Sequence, residues 1–233
     1  MTPVVLWEDN HCLAVFKPAG LLTQGVPAGL PTLESWAKQY IRDRYGKPGN
    51  VYLGIPHRLD RPVSGVVLFA RTSKAAARLA EQFQLHQVEK VYWALVSGTV
   101  APSAGAWVNW LRKLPDEARV ETVPAGTLGG KRAELEVRVL GAVERGTWLE
   151  LRPRTGRTHQ LRVQAASRGH PIFGDELYGS TEPFGPPAEM QRDRVIALHA
   201  RRLSFLHPIR YESITVAADV PSFWPSNIAD RPT

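Results

Sequence analysis

Pro56-His57-Arg58-Leu59-Asp60-Arg61-Pro62-Val63-Ser64-Gly65, running straight into Val66-Val67-Leu68-Phe69-Ala70, is the stretch on which the reading of this chain turns. The unbroken apolar run with β-branched content predicts a buried strand. The residues before it predict a loop that projects polar side chains from a rigid edge. Local chemistry leaves two readings open. In one, this is a solvated surface loop where Asp60 pairs with Arg58 or Arg61, an arrangement worth little free energy. In the other, the strand presents a reactive carboxylate.

Working outward, Val4–Trp7 and Leu13–Phe16 flank the turn-rich Glu8-Asp9-Asn10-His11 and predict a hairpin. A Gly- and Pro-rich loop from Pro18 to Pro31 leads to Thr32, placed as an N-cap before Leu33, Trp36, Ala37, Tyr40 and Ile41 at helical spacing. After the central strand, Ser73 is the expected cap of a second helix with an apolar stripe of Ala76, Leu79, Ala80 and Phe83. Val91–Val96 reads as a strand ended by Gly98, and the Pro102–Gly130 segment as a mobile arm or irregular hairpin. Ala133, Leu135, Val137 and Val139 alternate with polar neighbours as in a half-buried strand, with Trp148–Leu151 its expected partner. Thr158–Arg168 predicts a third helix stopped by Gly169, Pro183–Pro187 a loop, and Val195–Phe205 a final strand. Strands outnumber helices without regular alternation, so the expected class is α+β with a mixed, mostly antiparallel sheet. Neither repeat nor linker is visible, and residues 1–233 are expected to form a single domain.

Composition narrows the function. Of 233 residues, 43% are hydrophobic and 22% charged, which excludes disorder, collagen and coiled coil. Lys plus Arg number 29 against 22 Asp plus Glu, and the resulting net charge of +7 favours a polyanionic partner, RNA or DNA first. The single Cys12 makes neither an internal disulfide nor a multi-thiolate metal site, so a reducing, cytoplasmic setting and no metal are expected. Residues 91–111 carry no charge, but Gly98, Pro102, Ser103, Gly105 and Asn109 interrupt them, and no membrane association is expected.

A second polar cluster holds Arg152, Arg154, Thr155, Gly156, Arg157, Thr158, His159, Gln160 and Arg162. Gly156 allows a tight turn and Thr158 a helix cap, which would set Arg157 beside a helix start suited to an anion. A solvated basic helix start is the bland alternative.

HRLDRPVSG resembles the signature of the RluA family of pseudouridine synthases, H-R-L-D-x-x-T-S-G. The resemblance continues in the family's order through KPAGLL (17–22), KVYWALVSG (90–98), TGRTHQLRV (155–163), GHPIFGDELYG (169–179) and LHARRLSFLHP (198–208), over nearly the whole chain. Val63 stands where the family usually has Thr, and Gln164 where it often has His.

The resemblance implies a pseudouridine-synthase-like catalytic fold, its sheet in two helix-flanked halves with a central cleft. It also implies isomerisation of a uridine in tRNA or rRNA without a cofactor: the N1–C1′ bond breaks, the uracil turns, and C5 joins the same carbon. Because KPAG begins at residue 17, a catalytic domain without the N-terminal RNA-binding domain of many relatives is expected. By the same resemblance Asp60 is the nucleophile at C1′ or the base at C2′, both open to an ionised carboxylate. Tyr92 is the active-site tyrosine, able to stack on uracil and handle a proton near C5. Arg157 is the cation against the carboxylate, with Arg162 as the alternative. Arg58 would fill the space left by a flipped nucleotide, an extrusion that costs roughly a few kcal/mol. His57, Leu59, Thr158, His159, Gln160 and Arg162 complete the expected substrate-binding set, with His57 read either as a phosphate contact or as a brace of its loop. Arg61, Lys113, Lys131, Arg132, Arg201 and Arg202 are candidate phosphate contacts from charge alone.

Two other classes fit the sequence less well. A non-catalytic RNA-binding or ribosome-assembly protein has no chemical need for Asp60, Tyr92 and Arg157 together. A glycoside hydrolase needs a second carboxylate that neither cluster supplies. No heptad or self-complementary stripe is visible, so a monomer is expected.

Overall fold

The computed structural model describes residues 2–25, 30–101, 105–115, 117–190 and 193–229. Parts of the Pro18–Pro31 loop and of the Pro102–Gly130 arm lie outside them. The chain divides into two compact units, residues 1–89 with 200–233, and residues 90–199. The strands that pair do so mostly antiparallel, as expected of an α+β chain.

In the first unit, β1 (Val4–Glu8) and β2 (Cys12–Lys17) form the expected hairpin, closed by Asp9, whose carboxylate accepts from the His11 and Cys12 amides at 2.8 Å. Strand β2 pairs antiparallel with β3 (Ser64–Ala70), every residue of which is buried. The sheet runs β1-β2-β3-β9, with β9 (Leu198–Leu206) carrying β10 (Ser213–Ala217) on its other side. Alternate residues Val66, Leu68 and Ala70 of β3 meet Ala14 and Phe16 of β2 and, from the helix that follows β3, Ala75 and Leu79 in one core. Gly65 is the residue this register demands: its φ is +120°, and a Cβ there would lie 2.3 Å from the Ala200 carbonyl oxygen. Helix α1 (Leu33–Tyr45) starts in a capping box made by Thr32 and Ser35, with Leu33, Ala37 and Ile41 buried. Helix α2 (Ser73–Gln84) is capped one residue earlier than expected. Thr72 is extended and its hydroxyl accepts from the Ala75 amide, whereas Ser73 is already helical. Its stripe also shifts, with Ala75 buried and Ala80 exposed.

The second unit is an antiparallel sheet in the order β4-β8-β7-β5-β6. Its strands are β4 (Glu89–Ser97), β5 (Gly105–Lys113), β6 (Val120–Val123), β7 (Lys131–Val143) and β8 (Gly146–Pro153). The expected pairing of the Ala133–Val139 strand with Trp148–Leu151 holds, with a bulge between Val139 and Gly141. The Pro102–Gly130 arm is more regular than its composition suggests. Among the described residues, β5 and β6 pair in register from Trp110–Val123 to Lys113–Val120, and β5 pairs with β7 along its other edge. Helix α3 (Gln160–Ala166) clamps this arm: the Gln164 amide donates to the Trp107 carbonyl and to Asn109 at 3.0 Å, and the Arg168 guanidinium lies 4.8 Å over the Trp107 ring. Gln164 thus has a local packing role at the position where the family often has His. Helix α4 (Ser226–Ala229) closes the described chain, and no helix among the described residues is long and apolar enough to cross a membrane.

Candidate active site

Asp60 lies half-buried in the loop before β3, and that loop is held at several points. The Val63 amide donates to the Asp60 carbonyl at 3.1 Å, closing a turn around Arg61 and Pro62. The Thr23 hydroxyl donates to the Leu59 carbonyl at 2.9 Å and accepts from the Leu59 amide at 3.3 Å, so Leu59, which is buried, anchors the backbone. His57 accepts the Leu68 amide at Nε2 over 2.9 Å and stacks on Phe83 with centroids 4.6 Å apart. That contact fits the brace, since the ring nitrogen is committed to β3. Arg58 is exposed.

Lys17, expected only as the first residue of KPAGLL, has a structural role beside Asp60. It is fully buried at the end of β2, and its ammonium donates to the carbonyls of Pro18 at 3.0 Å, Leu21 at 2.7 Å and Arg61 at 3.2 Å. The Gly20 amide donates to the Arg61 carbonyl at 2.8 Å, and Arg61 Nε returns a bond to the Gly20 carbonyl at 2.8 Å. The 17–22 and 59–63 segments are therefore sewn together beside Asp60. Burial pulls the Lys17 pKa down to about 7, against the field of the Asp60 carboxylate, which holds it up. KPAG carried the signal, but only as part of a resemblance.

The second unit holds the remaining candidates. Tyr92 is half-buried on β4 opposite Leu151 of β8. In the 153–162 segment the expected helix start is displaced. Thr158 is exposed and caps nothing, and His159 precedes α3 in the left-handed region at φ 51°. The reason is Gln160, whose side chain takes over the turn. Its oxygen accepts from the Arg157 amide at 3.0 Å and the Thr155 hydroxyl at 2.8 Å, while its nitrogen donates to the Glu134 carbonyl at 3.0 Å. Arg162 is buried and grips Asp175 with two bonds of 2.7 Å, its guanidinium 5.1 Å from the Tyr178 ring. Tyr178 also meets His159 Nδ1 through its hydroxyl at 2.9 Å. Asp175 and Tyr178 are thus positioning residues of the segment that motif reading did not single out. Arg157 is exposed, with Nε on the Arg132 carbonyl at 3.1 Å. Of the cations expected at phosphate, Arg201 is unsuited: its side chain is 4% exposed and bound to Asp219 at 2.8 Å.

The described residues contain one group of metal-ligand type, Asp9, Cys12 and His207. The donors of Asp9 and His207 are already used. Asp9 Oδ2 takes His207 Nε2 at 2.7 Å and Arg210 at 2.9 Å, and His207 Nδ1 accepts the Ile209 and Arg210 amides.

Residues 11–167 match the family described as RNA pseudouridylate synthase. An uncharacterized RNA pseudouridine synthase of Synechocystis sp. is 33% identical over 94% of this chain, which spans 65% of that relative's length. The dual-specificity RNA pseudouridine synthase RluA of Vibrio vulnificus is 36% identical over 88% of this chain and 78% of its own. The tRNA pseudouridine synthase C of Yersinia pestis is 35% identical, covering 94% and 87%. Among solved structures, human RNA pseudouridylate synthase domain containing 4 superposes with a TM-score of 0.75 over 94% of this chain and 89% of that one, at 24% identity.

Proposed function

The chain belongs to the RNA pseudouridylate synthase family, whose members are isomerases acting on RNA, and on that premise we propose that it converts a specific uridine of tRNA or rRNA to pseudouridine through Asp60. The observation that carries this reading is the Asp60 loop itself. A half-buried carboxylate stands on backbone fixed by Lys17, Thr23 and His57, which is the preorganisation a reaction at one ribose carbon needs.

The remaining roles follow from exposure and chemistry. The Tyr92 ring stacks on the uracil, and its hydroxyl serves the proton at C5. Of the two arginines, Arg162 has the burial suited to balancing charge away from water. A guanidinium carries five donors, and a bidentate grip by Asp175 does not exhaust it. Arg157, exposed, is suited to the RNA backbone, so the charge-balancing role moves from Arg157 to Arg162 in this proposal. Arg58 takes the place of the flipped nucleotide. The protein works in the cytoplasm as a monomer and needs no cofactor, since the isomerisation exchanges no electrons with a carrier.

The test is to incubate the purified protein with total RNA from a strain lacking it and to map new pseudouridines by chemical probing. One discrete site in tRNA or rRNA is expected. RNA binding without any new pseudouridine would leave a binding protein and overturn the proposal.

A further inference from the structure

Lys90 opens β4 two residues before Tyr92. Strand periodicity puts the two on one face, about 7 Å apart along the strand. The Lys90 side chain is half-buried, and its ammonium meets the Thr155 carbonyl at 3.5 Å, long for a charged donor. A Cβ built on Gly156 would stand 3.9 Å from the same nitrogen, so the ammonium lies over the turn that leads into Arg157.

The charges around that turn are uneven. Arg132 pairs with Glu134, Arg152 with Glu150, Arg154 with Glu136 and Arg162 with Asp175. Among the described residues, Lys90 and Arg157 are the two cations of this segment that no carboxylate reaches within ion-pair distance. They flank Gly156, whose missing side chain leaves room for an approaching group. An ammonium drawn partly out of water with nothing opposite it is costly, and here burial alone pulls its pKa down to about 8. An anion from outside would supply the missing partner.

We propose that Lys90 is a phosphate-binding residue, holding with Arg157, across Gly156, the phosphodiester next to the uridine that stacks on Tyr92. This rests on the reading of RNA as substrate and names the backbone contact that fixes the strand at the site. A phosphodiester supplies full charge and several acceptor oxygens to an ammonium that donates three hydrogen bonds.

The experiment compares wild type, Lys90→Met, Lys90→Arg and Gly156→Asp for binding to a labelled oligouridylate and to bulk tRNA, by anisotropy across a salt series. Lys90→Met is expected to weaken binding several-fold at low salt and to reduce the slope of log affinity against log salt by about 0.7, one single-strand phosphate contact. Lys90→Arg keeps the slope. Gly156→Asp, which puts an internal carboxylate within reach of the ammonium, mimics Lys90→Met and reads the site even if the methionine variant folds poorly. The melting temperature of Lys90→Met should hold or rise, since an uncompensated charge is removed. Unchanged slopes in Lys90→Met and Gly156→Asp, a drop in melting temperature with an unchanged slope, or a wild type that binds neither RNA, overturns the proposal. Pseudouridine formation by wild type is scored separately. Turnover with an unchanged slope defeats only the Lys90 assignment, and a reduced slope without turnover defeats only the enzyme assignment.

Discussion

Lys17 and Lys90 are both withdrawn from water, each beside a residue proposed for chemistry, yet they are used in opposite ways. Lys17 spends its three donors on the carbonyls of Pro18, Leu21 and Arg61 and sits in the field of Asp60. Lys90 has a single long contact, to Thr155. The first loop is finished internally and holds a carboxylate in one place. The 153–162 loop is finished everywhere except around Gly156, where it presents positive charge. The difference teaches that a buried cation marks rigidity when its donors are matched and a ligand when they are not.

The largest effect that sharpens this contrast is in the matched part of the second loop. Asp175→Ala leaves the buried Arg162 guanidinium without its bidentate partner and should cost about 3–5 kcal/mol of unfolding free energy by denaturant titration. A loss below about 1 kcal/mol would mean that the pair is not what holds α3. Lys17→Met comes next. It orphans carbonyls in a buried setting and should cost about 2–3 kcal/mol, with turnover falling further than stability because the Asp60 loop loosens. Full activity in that variant would break the link between Lys17 and Asp60. Tyr92→Phe should lower kcat about 10²-fold with an unchanged melting temperature if the hydroxyl handles a proton, whereas near-normal kcat would leave the ring only a packing role.

A further check on the matched lysine is a pH slope. Lys17 titrates near 10.5 in the unfolded chain and at about 7 in the fold. Between those values the unfolded chain holds a proton that the folded chain has released, so stability rises with pH through that window. The burial penalty is fully present below about pH 7. The expected observation is an upward slope in wild type between pH 7 and 10 that is missing from Lys17→Met; matching slopes would contradict it.

The same contrast explains what the sequence made legible. The apolar run of β3, the period-two alternation of β7 and the Thr32 cap are local signals, and each lies where it was expected. Boundaries set by one side chain were missed. Thr72 rather than Ser73 accepts the Ala75 amide, and Gln160 displaces the start of α3 by bonding back to Thr155 and Glu134. The arm looks irregular in sequence because the Pro and Gly among its described residues lie mostly at strand ends and turns, while Trp107 and Leu111 supply the buried face of β5. Asp60, Tyr92 and Arg157 were named through motif resemblance. Lys17, Asp175 and Lys90 lie inside the quoted motifs but had no role of their own, because their meaning lies in partners distant along the chain, or in the lack of one, and neither leaves a periodic trace.

The most direct test of the central claim compares wild type with Asp60→Asn on the same total RNA, reading pseudouridine by chemical probing and affinity by anisotropy. The account predicts that the new pseudouridine disappears with the amide while RNA affinity stays within about twofold of wild type, since the carboxylate serves the reaction rather than the backbone contact. Normal pseudouridine formation by Asp60→Asn would contradict it.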